Sequence, residues 1–312
     1  MRTAFIERLC ELAAMDSRIF LVCGDLGYSV LESFSEQYPD RYLNAGVAEQ
    51  NMTGIAAGLA MAGKVVFTYS IANFPVMRCL EQIRNDVCYH NLNVKIVAVG
   101  GGLAYGSQGY THHGVEDLAV MSAMPNLVVA APADPTETRG ITSILADRPG
   151  PAYLRLGKAG EPVLHPDNLR VELGKAIRVS DGNDLTIISI GGMLGTVLKA
   201  AEELPKHGIY PRILSMPFLI PQDTEAVLEA ADQTGAILTV EEHGPGGLGT
   251  AIAETLATHG RAPCFRILRL ARSPIQVAGS QEELRSAQGL SPDALLQAAE
   301  QLCHGRKPSV TH

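Results

Sequence analysis

Twice along this chain, short β-branched runs alternate with helical stretches at the spacing of a parallel sheet. The first series places strands at Ile19–Cys23, Val65–Tyr69, Val94–Val99, Leu127–Ala130 and Ala152–Arg155. Helical patterns lie between them near Glu49–Met61, Met77–Cys88, Val115–Ala123 and Pro135–Ala146. The alternation then stops. Glu161 to Asp184 is polar and carries Pro162, Pro166 and the turn residues Asp181, Gly182 and Asn183. It restarts with strands at Leu185–Ile190, Arg212–Met216, Ala236–Val240 and Phe265–Leu268, and helices at Leu194–Leu204, Thr224–Ala231, Thr250–Ala257 and Pro292–Leu302. The pattern predicts an α/β protein of two domains, residues 1–160 and 184–312, joined by a linker at 161–183. Each domain is expected to be a mostly parallel sheet flanked by helices. A length of 312 residues suits two domains, at roughly 100–200 residues each.

Composition excludes several functions. The net charge of -8 argues against a general nucleic-acid or polybasic membrane role. No apolar run approaches the roughly 18–20 residues needed to span a bilayer. The opening MRTAFIERLCELAAMDSRIF reads as an amphipathic, acid-bearing helix rather than a signal peptide. Cys10, Cys23, Cys79, Cys88, Cys264 and Cys303 are scattered with no CxxC pair, so reduced, buried thiols in a cytoplasm are expected.

Two segments carry candidate chemistry. In Asn44-Ala45-Gly46-Val47-Ala48-Glu49-Gln50-Asn51-Met52, a carboxylate enters a helix that is apolar nearly all round and therefore buried. Glu49 is either an ordinary acidic first turn complementing the helix dipole or a buried functional carboxyl. In Gly106-Ser107-Gln108-Gly109-Tyr110-Thr111-His112-His113-Gly114, adjacent histidines sit in a glycine-rich loop where backbone can approach a ligand. They serve either proton transfer and hydroxyl binding near neutrality or the capping of a neighbouring element. No HExxH or comparable set marks a metal site in this chain.

AGVAEQNMTGIAAGLAMAG is similar to the pyrimidine-domain signature of transketolases and deoxyxylulose-phosphate synthases. Further segments agree in order: Gly24-Asp25-Leu26, Leu80-Glu81-Gln82-Ile83-Arg84-Asn85-Asp86, Thr111-His112-His113-Gly114, Pro132-Ala133-Asp134, Val240-Glu241-Glu242-His243 and Gly246-Gly247-Leu248-Gly249. The chain thus resembles the pyrimidine-binding plus C-terminal half of a transketolase. The resemblance implies thiamine diphosphate as cofactor. Glu49 would hydrogen-bond N1′ of the aminopyrimidine, where a carboxylic acid favours the imino form that deprotonates the thiazolium carbon. Burial raises a carboxyl's pKa and keeps that proton available. Leu26 would fill the gap between the cofactor's two rings, Asp25 would lie near the thiazolium, and Phe74 and Ile71 would cup the pyrimidine. His112 would face the substrate, with His113, Gln108, Ser29 and Lys158 as further substrate-binding positions.

Departures from the family pattern concentrate in the substrate pocket. Ile71 stands where a phenylalanine is common, Gln108 where an aspartate recognises the donor hydroxyl, and Lys158 at the basic residue of a phosphate site. An expected histidine is replaced within Gly100-Gly101-Gly102. The Gly-Asp-Gly…Asn motif that holds diphosphate through Mg²⁺ is missing, because Ser180-Asp181-Gly182-Asn183-Asp184 reads as a turn. The resemblance therefore implies an N-terminal, diphosphate- and Mg²⁺-binding transketolase subunit as partner, in an α₂β₂ assembly. The Glu241–Gly249 loop could bind an anion at a helix start but is read as structural. The expected activity is transfer of a two-carbon ketol unit from a ketose or ketose phosphate to an aldehyde. The alternatives are the β subunit of a 2-oxoacid dehydrogenase, an oxoacid-using deoxyxylulose-phosphate-synthase-like enzyme, and a non-catalytic scaffold paralogue.

Overall fold

The computed structural model describes residues 1–304, so the last eight residues of the expected second domain lie outside the described residues. Helix α1 (Arg2–Met15) precedes strand β1 (Ile19–Cys23), α2 (Glu32–Gln37), β2 (Tyr42–Asn44), α3 (Glu49–Met61) and β3 (Val65–Ile71). Then come α4 (Asn73–Met77), α5 (Leu80–Gln82), β4 (Val94–Val99), α6 (Asp117–Ser122), β5 (Val128–Ala130), α7 (Pro135–Asp147) and β6 (Ala152–Leu156). The second series runs β7 (Ile177–Ser180), β8 (Leu185–Ser189), α8 (Leu194–Glu203), β9 (Pro211–Ser215), β10 (Phe218–Ile220), α9 (Thr224–Gln233), β11 (Ala236–Val240), α10 (Leu248–Thr258), β12 (Cys264–Leu268), α11 (Gln281–Ala287) and α12 (Pro292–His304).

Two sheets result, in the orders β10-β5-β6-β4-β3-β1-β2 and β12-β11-β8-β9-β7. All pairings are parallel except those of β10 with β5 and β7 with β9. The fully buried strands β4, β8 and β11 are near-continuous apolar runs, as expected where helices cover both faces. The two α/β sheets agree with the expected class.

Helix α2 and strand β2 were not anticipated, and four further elements differ from expectation. Strand β7 occupies the end of the stretch read as linker and pairs with β9. Strand β10 follows β9 in sequence but adds antiparallel to the first sheet. Its three residues lie between Pro217 and Pro221, too short a run to show a period. The Met77–Cys88 helix is displaced and broken: α4 ends at Met77, α5 restarts at Leu80, and Ile83–Cys88 continues as a π-helical turn. The break leaves Arg78 at the junction. Helix α11, which opens with a complete Ser280/Glu283 capping box, was not anticipated.

One apolar cluster crosses the domain boundary, joining Leu118 and Met121 of α6 to Leu248 and Ile252 of α10. The Glu241-Glu242-His243 run supplies polar anchors beside it. Glu241 accepts from Leu248 N at 2.7 Å and Gly249 N at 2.9 Å, so a carboxyl of the chain itself fills the start of α10. Glu242 accepts from Leu103 N of the first domain at 3.2 Å and from both ends of the Arg285 guanidinium. His243 Nε2 accepts from Leu118 N at 3.1 Å and so caps α6 across the boundary. His243 is fully buried, and burial pulls its pKa down to about 4, which keeps the ring neutral and able to accept.

Candidate active site

The expected site residues lie at the carboxyl ends of the parallel strands of the first sheet. From β1 the chain steps outward to β2, then returns to β3 on the opposite side of β1. The crevice between β1 and β3 is thus where strand succession reverses, the usual ligand position in open α/β sheets. The loop after β1 carries Asp25, Leu26 and Ser29. The end of β3 and its loop carry Ile71 and Phe74. Helix α3, entering the same end, carries Glu49.

Glu49 is 2% exposed. Its Oε1 accepts from Ser70 Oγ at 3.3 Å and its Oε2 from Arg78 Nη1 at 2.8 Å. Gly24 lies beside this carboxyl, and a Cβ there would only make ordinary contact with it, 3.5 Å from Glu49 Cγ. The Arg78 guanidinium carbon lies 4.5 Å from the centre of the Phe74 ring. Leu26 and Ile71, both half-buried, pack on one apolar cluster beneath the crevice. Asp25 is exposed, in a left-handed conformation (φ 55). A reciprocal pair holds it there: Asn44 Nδ2 donates to its carboxylate at 2.9 Å, and its N–H donates to Asn44 Oδ1 at 3.0 Å.

The histidine loop is closed at its base by an antiparallel bridge between Gly102 and Gly114, with N–H···O distances of 2.7 and 3.0 Å. At its tip His112 presents an edge to Phe74, 5.2 Å between ring centres. Asn73 Nδ2 donates to Thr111 O at 3.0 Å and ties the loop to the segment after β3. Tyr105 lies 6.4 Å from the His112 ring, and the Lys158 ammonium sits 5.0 Å above Tyr105. Glu49, Arg78, Phe74, His112, Tyr105 and Lys158 therefore form one contact series.

Other expected residues lie apart from that series. His113 is 1% exposed, packed 6.1 Å from Tyr110 within the loop, with its pKa lowered by burial. Gln108 is exposed on a 3₁₀ turn. Ser29, also exposed and left-handed (φ 61), gives its N–H to Glu32 at 2.7 Å beside a groove against α1.

The Gly100–Gly102 run has a steric cause. A Cβ on Gly100 would meet the Tyr105 ring at 2.0 Å, one on Gly101 would meet Arg155 Nε at 2.3 Å, and one on Gly102 would meet the Glu242 carboxylate at 2.5 Å. A histidine has no room at these positions because those side chains fill the space. Tyr105, Ser70 and Arg78 are the residues that sequence reasoning missed. The glycine triplet was the signal for Tyr105, because a run without Cβ atoms marks close approach by another group. Arg78 carried no such signal.

Below the loop, Arg155 donates from Nε to Asp117 Oδ2 at 2.9 Å and from Nη2 to Gly114 O at 2.8 Å and Glu242 O at 3.0 Å. Tyr153 OH donates to the same Asp117 oxygen at 2.6 Å. This buried cluster fastens the base of the histidine loop to both domains.

The profile of the transketolase pyrimidine-binding domain matches residues 1–160, and that of the transketolase C-terminal domain matches residues 174–295. Fold and crevice thus define a transferase of the transketolase class, and the chain belongs to the transketolase family. It is 40% identical over 301 residues to an apulose-4-phosphate transketolase subunit of Phocaeicola vulgatus, covering 96% of each chain. It is 36% identical to a 6-deoxy-6-sulfo-D-fructose transketolase subunit of a Clostridium species, covering 97% of this chain and 94% of that one. It is 35% identical to the 1-deoxy-D-xylulose-5-phosphate synthase of Desulfitobacterium hafniense, but spans 47% of that protein. Among solved structures, a split-gene transketolase described as an inactive beta4 tetramer superposes with a TM-score of 0.87 at 36% identity, covering 97% of both chains. Over nearly all of its length the chain is thus similar to subunits of split transketolases.

Proposed function

We propose that this chain supplies the pyrimidine half of a thiamine-diphosphate site and, with a diphosphate- and Mg²⁺-binding partner subunit in an α₂β₂ assembly, transfers a two-carbon ketol unit from a ketose to an aldehyde in the cytoplasm. The observation that carries the reading is Glu49: a carboxyl 2% exposed, at the head of an apolar helix, facing the crevice beside Phe74. These residues fit the cofactor's aminopyrimidine, which needs a carboxyl at one ring nitrogen and apolar surfaces on its faces. Bound there, thiamine diphosphate supplies the nucleophilic carbon and the electron sink for breaking a bond beside a carbonyl. Glu49 holds the proton at N1′. Phe74 and Ile71 would flank the pyrimidine ring, and Leu26 would pack against the cofactor.

His112, held by its contact with Phe74 and by Thr111 Oγ1 at 3.0 Å from its Nδ1, is placed to bond substrate hydroxyls and move their protons. Lys158 is exposed, with no carboxylate pairing among the described residues, and serves as a point charge for an anionic substrate group. Relatives named for a phosphorylated and a sulfonated sugar support an anionic substrate. Gln108, Ser29 and His113 complete the proposed substrate set.

Titration of the chain with thiamine diphosphate and Mg²⁺, alone and with its partner, tests the reading. Binding and ketose cleavage are expected only in the mixture, and both are expected to be lost in Glu49→Ala. Turnover by the chain alone, or full activity in Glu49→Ala, would refute it. Pyruvate use in place of ketose would move the assignment to the synthase-like alternative.

A further inference from the structure

We propose that Arg78 is a built-in occupant of the pyrimidine subsite, a surrogate ligand that protects Glu49 in the unloaded chain and that the cofactor must displace. The inference rests on the reading of Glu49 and Phe74 as pyrimidine contacts.

The Arg78 guanidinium is flat, cationic and rich in N–H donors. It lies over the Phe74 ring at 4.5 Å and gives an N–H to Glu49 Oε2 at 2.8 Å. A protonated aminopyrimidine bound at this place uses the same two features, a flat face on the aromatic ring and a ring N–H on the carboxylate. On this proposal the cofactor needs the ring face and the carboxylate oxygen that Arg78 now holds, so the two compete.

The need for such an occupant follows from burial. Glu49 is 2% exposed, and its other partner is the neutral Ser70 hydroxyl at 3.3 Å. A carboxylate buried without a countercharge is strongly destabilising. Arg78 supplies that charge from outside. Its side chain is 50% exposed and springs from the break between α4 and α5, on a flexible stem. It leaves the crevice without opening the core, and the displaced cation then stands at the crevice mouth. Cofactor affinity is therefore set by competition within the chain.

The test uses the complex reconstituted with the diphosphate-binding partner, titrated calorimetrically with thiamine diphosphate at fixed Mg²⁺. Arg78→Met should lower Kd about fivefold, the equivalent of the ~1 kcal/mol held by a half-exposed charge pair. Arg78→Lys, which keeps the charge without the flat face, should fall between. An unchanged or raised Kd for Arg78→Met overturns the proposal. A second measurement needs no partner: a double-mutant cycle of Arg78→Met and Glu49→Gln on urea unfolding of the isolated chain. Coupling between the two is expected, and additivity overturns the proposal. A wild-type complex that binds no thiamine diphosphate would sink the cofactor site itself, and the cycle would still report whether the pair exists.

Discussion

Asp117 is the single acidic centre of the buried cluster that fastens the histidine loop, so replacing it with asparagine tests how the loop is held. Arg155 and Asp117 have side chains 7% and 1% exposed, which places the pair in the interior rather than on the screened surface. Removing one partner of a buried pair leaves the other charge uncompensated, at a cost of ~3–5 kcal/mol. Asparagine keeps an oxygen for Tyr153 OH, and Arg155 retains the carbonyls of Gly114 and Glu242. The expected loss therefore sits at the lower end, ~3 kcal/mol. With a urea m-value of about 3 kcal/mol/M, the midpoint should fall by about 1 M. Replacing both members with apolar residues, Asp117→Leu with Arg155→Met, leaves no charge buried but strips Tyr153 OH and the carbonyls of Gly114 and Glu242 of their partners, so it should not recover the loss. In the active complex Asp117→Asn should also reduce kcat more than it weakens cofactor binding, since Arg155 holds Gly114 at the base of the His112 loop and not Glu49. A loss under about 1 kcal/mol would refute the view that this pair is desolvated and essential.

Three further outcomes follow from the same geometry. His243 has its folded pKa depressed to about 4, below the ~6.5 of an unfolded histidine. The unfolded chain therefore gains a proton first as pH falls, and the stability advantage of wild type over His243→Gln should shrink by ~3 kcal/mol between pH 7 and 4 in urea titrations. Gly101→Ala has an ordinary backbone angle but places a Cβ 2.3 Å from Arg155 Nε. It should cost ~1–3 kcal/mol by overpacking, whereas Gly58→Ala, with open space around it, should cost nothing measurable by thermal unfolding. Lys158→Ala should raise KM for an anionic aldehyde acceptor about tenfold or more while leaving that for a neutral one unchanged, reflecting loss of a charged hydrogen bond of ~1.5–3 kcal/mol. Steady-state kinetics with the paired acceptors reads this directly.

Local pattern carried much of the architecture. Ile19–Cys23, Val94–Val99 and Ala236–Val240 lie where their apolar runs place them, because a buried strand writes its burial into consecutive residues. Glu49–Met61 forms its expected helix but buries one face rather than its whole circumference. The crevice was not read from the sequence, because its place depends on the strand order, which local pattern does not give. Glu49 stood out as an acid opening an apolar helix. What the sequence did not determine was which side chains meet. Arg155 reaches Asp117 across 38 positions, and Leu103 N reaches Glu242 across 139. Strand β10 joins a sheet whose other members all precede residue 157. Arg78 meets Glu49 at a helix break, and Gly100–Gly102 are small because three side chains fill their space and because Gly100 and Gly102 are left-handed. Periodicity records which face of an element is buried, but not which groups are buried against it, and only the packed chain decides those pairings.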